Sequence, residues 1–99
     1  MKLTPQALRH ITAVASVLPD DTRSRLLSWL TRHPSDDVPE DIASLILAAI
    51  TIVAAKIEKS VDSGKLNEDQ EAFALNDLGF LNAIGAGLKA ARRSQTAAE

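Results

Sequence analysis

The sequence predicts an all-α fold: a four-helix bundle-like domain in which two short N-terminal helices pack on a long antiparallel helical hairpin, about residues 39–62 and 68–93. Three observations carry this reading. From Ile42 to Ala55 the chain is apolar on almost every helical face, with Ser44 and Thr51 the sole interruptions, and a helix of that kind must be surrounded. The aromatic residues are Trp29, Phe73 and Phe80 alone, so the interior has to be built from Leu, Ile, Val and alanine, the best helix former and a poor strand former. Helix-start and helix-stop residues punctuate the chain at regular intervals, and no later stretch shows the two-residue alternation of a strand.

The first helix opens at Thr4-Pro5, a cap followed by proline at the first helical position, where its missing N–H costs nothing. Leu8, Ile11, Val14, Ala15 and Leu18 recur behind it at helical spacing. Pro19-Asp20-Asp21 stops that helix and caps a second, about Asp21 to Arg32, which turns Leu26, Leu27, Trp29 and Leu30 inward and Arg23, Arg25 and Arg32 outward. His33-Pro34 ends it, because a residue preceding proline avoids the helical region. After the linker PSDDVPE, Asp37 and Glu40 stand in capping-box spacing and open the third helix, which runs to about Asp62 with Gly64 as its left-handed terminator. It carries two apolar stripes, Ile42, Ile46, Ala49 and Val53 on one side and Leu47, Ile50, Ala54, Ile57 and Val61 on the other.

Asn67 and Gln70 form a second capping box, followed by the stripe Ala74, Leu78, Leu81, Ile84 and Leu88, with Phe73 and Phe80 on its flank. Lys89, Arg92 and Arg93 give the last turn the sign favoured at a helix C-terminus. Residues 1–95 thus form one domain and 96–99 a frayed tail. Gly79, Gly85 and Gly87 each cost about 1 kcal/mol relative to alanine in a helix interior. A row of small residues four apart, Gly79, Ala83, Gly87 and Ala91, offers a reason: close approach of another helix. The competing reading is a break near Gly85-Ala86-Gly87.

Composition excludes several functions. With no cysteine there is no disulfide framework, thiolate nucleophile or cysteine-containing zinc site, as suits a cytoplasmic protein. The opening MKLTPQALRH has no long apolar run and no small-residue cleavage site, which argues against a secretory leader. The longest apolar stretch is about 14 residues, short of the roughly 20 that span a bilayer. Net charge is −2, but residues 1–33 carry five Lys/Arg against two Asp (+3), residues 34–77 three against ten (−7), and residues 78–99 three against one (+2). Acids at helix starts and bases at helix ends account for much of this segregation.

The paired carboxylates Asp20-Asp21, Asp36-Asp37, Glu40-Asp41 and Glu68-Asp69 sit at helix starts or in the linker, positions of capping and not of acid–base chemistry. His10 and His33 lack the spacing of a metal-binding pair. No phosphate loop and no nucleophile elbow is present. Asp62 to Glu71 imitates the second half of a calcium loop, with Gly64 at the sharp turn. Lys59, Val61 and Gln70 stand where that alignment needs oxygen ligands, so the segment reads as an interhelical turn. No catalytic residue, cofactor or metal ligand emerges, and the sequence reads as non-enzymatic.

The stretch ASVLPDDTRSRLLSWL resembles the opening helices of the arsenical-resistance repressor family of winged-helix DNA-binding proteins, where an LxDxTRxxILxxL pattern builds the scaffold. The resemblance covers about 16 residues. It implies a polar recognition helix and a two-stranded wing, whereas the helix that follows here is the most apolar in the chain. The matched residues are scaffold, so no base-reading or metal-binding position carries over. A DNA-binding regulator using Arg23, Arg25, Arg32, Lys89, Arg92 and Arg93 against phosphates is the alternative function.

The principal expectation is a small non-catalytic regulatory or adaptor protein, of the inhibitor or antiactivator type, acting on another protein or on a second copy of itself as a homodimer. Its candidate partner-binding residues are Leu47, Ile50, Ala54, Ile57, Gly79, Ala83, Gly87 and Ala91, because two helices of about 13 residues are too short to cover both stripes of the third. Circular dichroism should show a predominantly helical spectrum that neither chelator nor added calcium alters; chelator-induced loss of helix would contradict the ligand analysis.

Overall fold

The computed structural model describes residues 2–98, with side chains described through Ala91. Four α-helices follow one another: α1 (Pro5–Val14), α2 (Asp20–Arg32), α3 (Glu40–Asp62) and α4 (Glu68–Ala98). Among the described residues no strand forms, and extended backbone pairs only in an isolated antiparallel bridge between Lys2 and Asp37. The architecture is all-α and bundle-like.

The expected caps account for the helix boundaries in most places. Thr4 accepts a hydrogen bond from the Ala7 backbone N–H at 3.1 Å, and Pro5 occupies the first turn. The first helix tightens into a 3₁₀ turn at Ala15–Val17 before Leu18 goes extended (φ −80, ψ 152), as a residue followed by proline must. At α4 the capping box is complete: the Asn67 backbone N–H donates to Gln70 Oε1 at 3.0 Å, and the Gln70 N–H donates to Asn67 Oδ1 at 2.8 Å. Gly64 takes φ +70, the left-handed value that ends α3.

Three boundaries differ from the sequence reading. α3 is capped by Pro39, with no side-chain cap hydrogen bond; Asp37 lies before the cap, its backbone in the bridge to Lys2. That bridge ties the linker to the N-terminal segment and buries Leu3 and Val38. α2 begins at Asp20, which places both Asp20 and Asp21 in the first turn, where the N-terminal dipole favours them. α4 continues without a break through Gly85 and Gly87 to Ala98, past the expected end at Arg93 and into the segment expected to fray. Its alanine-rich sequence contains no proline to stop it.

The largest fully buried side chains are Ile11, Leu26, Ile46 and Leu81, one from each helix, so the core is a single junction of all four. α1 and α2 pack on α3 beside Ile42, Ile46 and Ala49, while α4 lies along α3 in the most extensive helix pairing of the molecule. Among the described residues no polar or charged side chain is buried.

Burial stops abruptly along the hairpin. Between Thr51 on α3 and Phe80 on α4 no residue is buried. At 1.5 Å per residue, α1 and α2 are about 15 and 20 Å long, against about 35 Å for α3. Beyond their reach, α3 and α4 have only each other. The outer half of the hairpin is therefore a two-helix arm, and the molecule measures 46 × 30 × 22 Å.

Urea denaturation should separate the two regions. Ile46→Ala, at 0% exposure, is expected to lose about 2–5 kcal/mol, while Phe73→Ala on the arm should change stability by less than about 0.5 kcal/mol. Gly64→Ala should cost about 1–2 kcal/mol through its left-handed backbone.

Candidate protein-interaction surface

The second stripe of α3 is partly covered by α4. Ile50 is buried, and Leu47, Ala54 and Ile57 are half-buried. Leu47, Ile50 and Ala54 converge with Gly85 and Ala86 of α4 to line an open groove of about 460 Å³. Glu58 and Lys89 also line it, one from each helix. A Cβ built on Gly85 would meet Leu47 Cδ2 at 3.6 Å and Ile50 Cγ2 at 4.0 Å, ordinary contact distances. Ile57 does not line the groove.

The small-residue row of α4 is not brought onto one surface. Gly79 and Ala83 are exposed, Gly87 and Ala91 half-buried, and Ala83 borders a separate apolar cavity of about 210 Å³ with Ala7, Phe80 and Ile84. Geometry explains the dispersal. Each four-residue step overshoots a turn by about 40°, so Gly79 and Ala91 point about 120° apart. Nothing lies within 4 Å of a Cβ added to Gly79. Gly85, outside the row, packs against α3.

The large exposed apolar side chains among the described residues are Phe73 (73%), Leu75 (49%) and Ile52 (39%), all on α3 and α4. The sequence places Phe73 beside the core stripe, one heptad before Phe80. Phe80 is sheltered because its ring stacks on His10 of α1, centroids 4.2 Å apart and planes at 21°, with His10 Nδ1 itself 3.0 Å from the Gln6 carbonyl oxygen. The short length of α1 leaves Phe73 without such a neighbour. Helix lengths read from the caps carry that signal.

The basic candidates are scattered. Arg23 is ion-paired with Asp20, and Arg25 with Asp41 across the α2–α3 junction; both pairs are exposed and worth at most about 1 kcal/mol. Arg25 and Arg32 line a shallow cavity of about 220 Å³ with Trp29 and His33, and His33 Nδ1 lies 2.8 Å from Asp36 Oδ2. Lys89 lies on α4, at the groove between α3 and α4, and α4 does not line that cavity. The side chains of Arg92 and Arg93 fall outside the described residues. Among the described residues no group of three or more His, Asp or Glu could hold a metal ion, and no helix is long and apolar enough to cross a membrane. Compared with protein-family models, curated proteins and solved structures, the chain shows no match.

The fold of the single chain does not need its helical glycines at 79 and 85. Gly79→Ala and Gly85→Ala should each stabilise the single chain by up to about 1 kcal/mol of helix propensity, read as a higher thermal midpoint. A loss of stability at Gly79 that does not depend on protein concentration would show that the position has an intramolecular neighbour.

Proposed function

We propose that this protein is a small, non-catalytic regulator or adaptor that acts in the cytoplasm by occupying a surface of another protein, in the manner of an inhibitor or antiactivator, through α3 and α4. The observation that carries the reading is the location of its exposed large apolar side chains. Phe73, Leu75 and Ile52 all lie on the hairpin outside the four-helix junction. Single exposed apolar residues are ordinary on protein surfaces. Three lie on one projecting two-helix arm, in a chain whose aromatic residues number three in all, and the most exposed, Phe73, is of the kind that partners bury, since aromatic anchors carry much of the energy of protein interfaces. The groove at Leu47, Ile50 and Ala54, bordered by Glu58 and Lys89, adjoins this arm and extends the apolar area available to a partner.

The test places a photo-crosslinking phenylalanine analogue at Phe73 and, as a control on the four-helix body, at exposed Ser35. Irradiation in cells is expected to give one adduct of defined mass from position 73 and none from position 35. Equal, diffuse labelling from both positions would overturn the reading. Phe73→Ser should retain the helical spectrum and lose the partner.

A further inference from the structure

We propose that α4 pairs antiparallel with α4 of a second copy of this chain, across a two-fold axis near Phe80 and Leu81. This rests on the protein-interaction reading and names one of its partners. Leu75, Gly79, Asn82, Ala86 and Lys89 follow one another at spacings of four, three, four and three, the repeat of a helix–helix seam. Every one of them is exposed. From Ala72 to Leu88 the one charged residue is Asp77, half a turn away from Leu75 and Gly79, so the seam is free of charge along its middle.

The occupant follows from size and charge. An antiparallel copy with its axis between Phe80 and Leu81 sets Leu75 against the partner's Ala86 and Asn82 against the partner's Gly79, so large meets small at each level. Gly79 has open space around it within its own chain; its helix penalty is offset only if something approaches from outside, and a minimal residue there permits the short end of the interaxial range, about 8 Å. Glu71 and Lys89 stand eighteen residues apart, five turns at 3.6 residues per turn, and therefore share one edge of the helix. The antiparallel arrangement brings Glu71 beside the partner's Lys89, twice by symmetry. Neither side chain makes an ion pair or hydrogen bond within its own chain among the described residues, and about 27 Å separates them along the helix, too far to pair with one another. A parallel arrangement would set Glu71 against Glu71 and Lys89 against Lys89. The interface is isologous and closes on itself.

Sedimentation equilibrium of the full chain decides the matter. The wild type should weigh twice 10.6 kDa at micromolar concentration. Glu71→Lys and Lys89→Glu should each weaken the dimer about tenfold or more, because two attractive exposed contacts become repulsive, and the effect should fade at high salt. The double variant should recover the wild-type constant, since it exchanges the charges across the same contact. Gly79→Leu should be monomeric with its helical spectrum intact, as its own chain leaves the space open. A monomeric wild type, or a double variant weaker than either single one, overturns the proposal. A monomeric wild type that still gives a single adduct from position 73 would refute self-association and leave the broader reading standing; no adduct there would remove that reading as well.

Discussion

Everything in this fold answers to one constraint, the need of α3 for apolar neighbours on two sides. The stripe Ile42, Ile46, Ala49 faces α1 and α2, and Ile50 with Leu47 faces α4. Burying a side chain of this size contributes about 1.5–3 kcal/mol, so the first half of α3 organises the molecule. Among the described residues it does so without a buried polar or charged side chain, whose desolvation would have to be offset. Covering helices have finite length, and here they end first. Charge follows the same boundary: α3 carries no charged residue between Asp41 and Lys56, and then Lys56, Glu58, Lys59 and Asp62 appear within one two-turn stretch. The sequence changes character where two-sided cover runs out.

Much of this is legible in the sequence alone. The Thr4 cap, the Asn67–Gln70 capping box, the left-handed Gly64 and the stop at His33 are local devices, fixed by side chains within four residues of the backbone groups they satisfy. The Asp37–Glu40 spacing misled because proline at 39 pre-sets the entry into α3, and because Asp37 is held by a bridge to Lys2, thirty-five residues away in sequence. A contact of that range leaves no periodic trace. Continuity of α4 through Gly85 and Gly87 was likewise open: the propensity of two glycines opposes it, and burial of Leu81, Ile84 and Leu88 overrides them.

The candidate surface was half legible. Leu47, Ile50 and Ala54 do meet on one groove, because an i, i+3, i+7 pattern stays on one side of a helix. The row Gly79, Ala83, Gly87, Ala91 winds about 120° around α4, because each four-residue step overshoots a turn by about 40°. Phe73 and Leu75 were unreadable as exposed residues from periodicity alone. Whether an apolar residue is covered depends on the length of a neighbouring element, and that is a property of the tertiary arrangement.

α4 joins two mechanical regimes in one continuous helix. From Leu81 onward it contributes buried residues to the core; before Phe80 it contributes none. The arm's position is thus set by the stiffness of an unbroken helix and not by local burial, and with few buried contacts it belongs to the part of a fold that opens at the lowest free energy. A partner that covers Leu75 or Phe73 would supply the arm with the second-side packing that α1 and α2 give the body. Binding and arm stability are then one quantity, since whatever binds only the ordered arm stabilises it by mass action. Gly79 lies two residues before the first buried residue of α4, at the boundary of these regimes, where its lack of a side chain lowers the helix's own preference for order and leaves more of the arm's ordering to contacts made from outside.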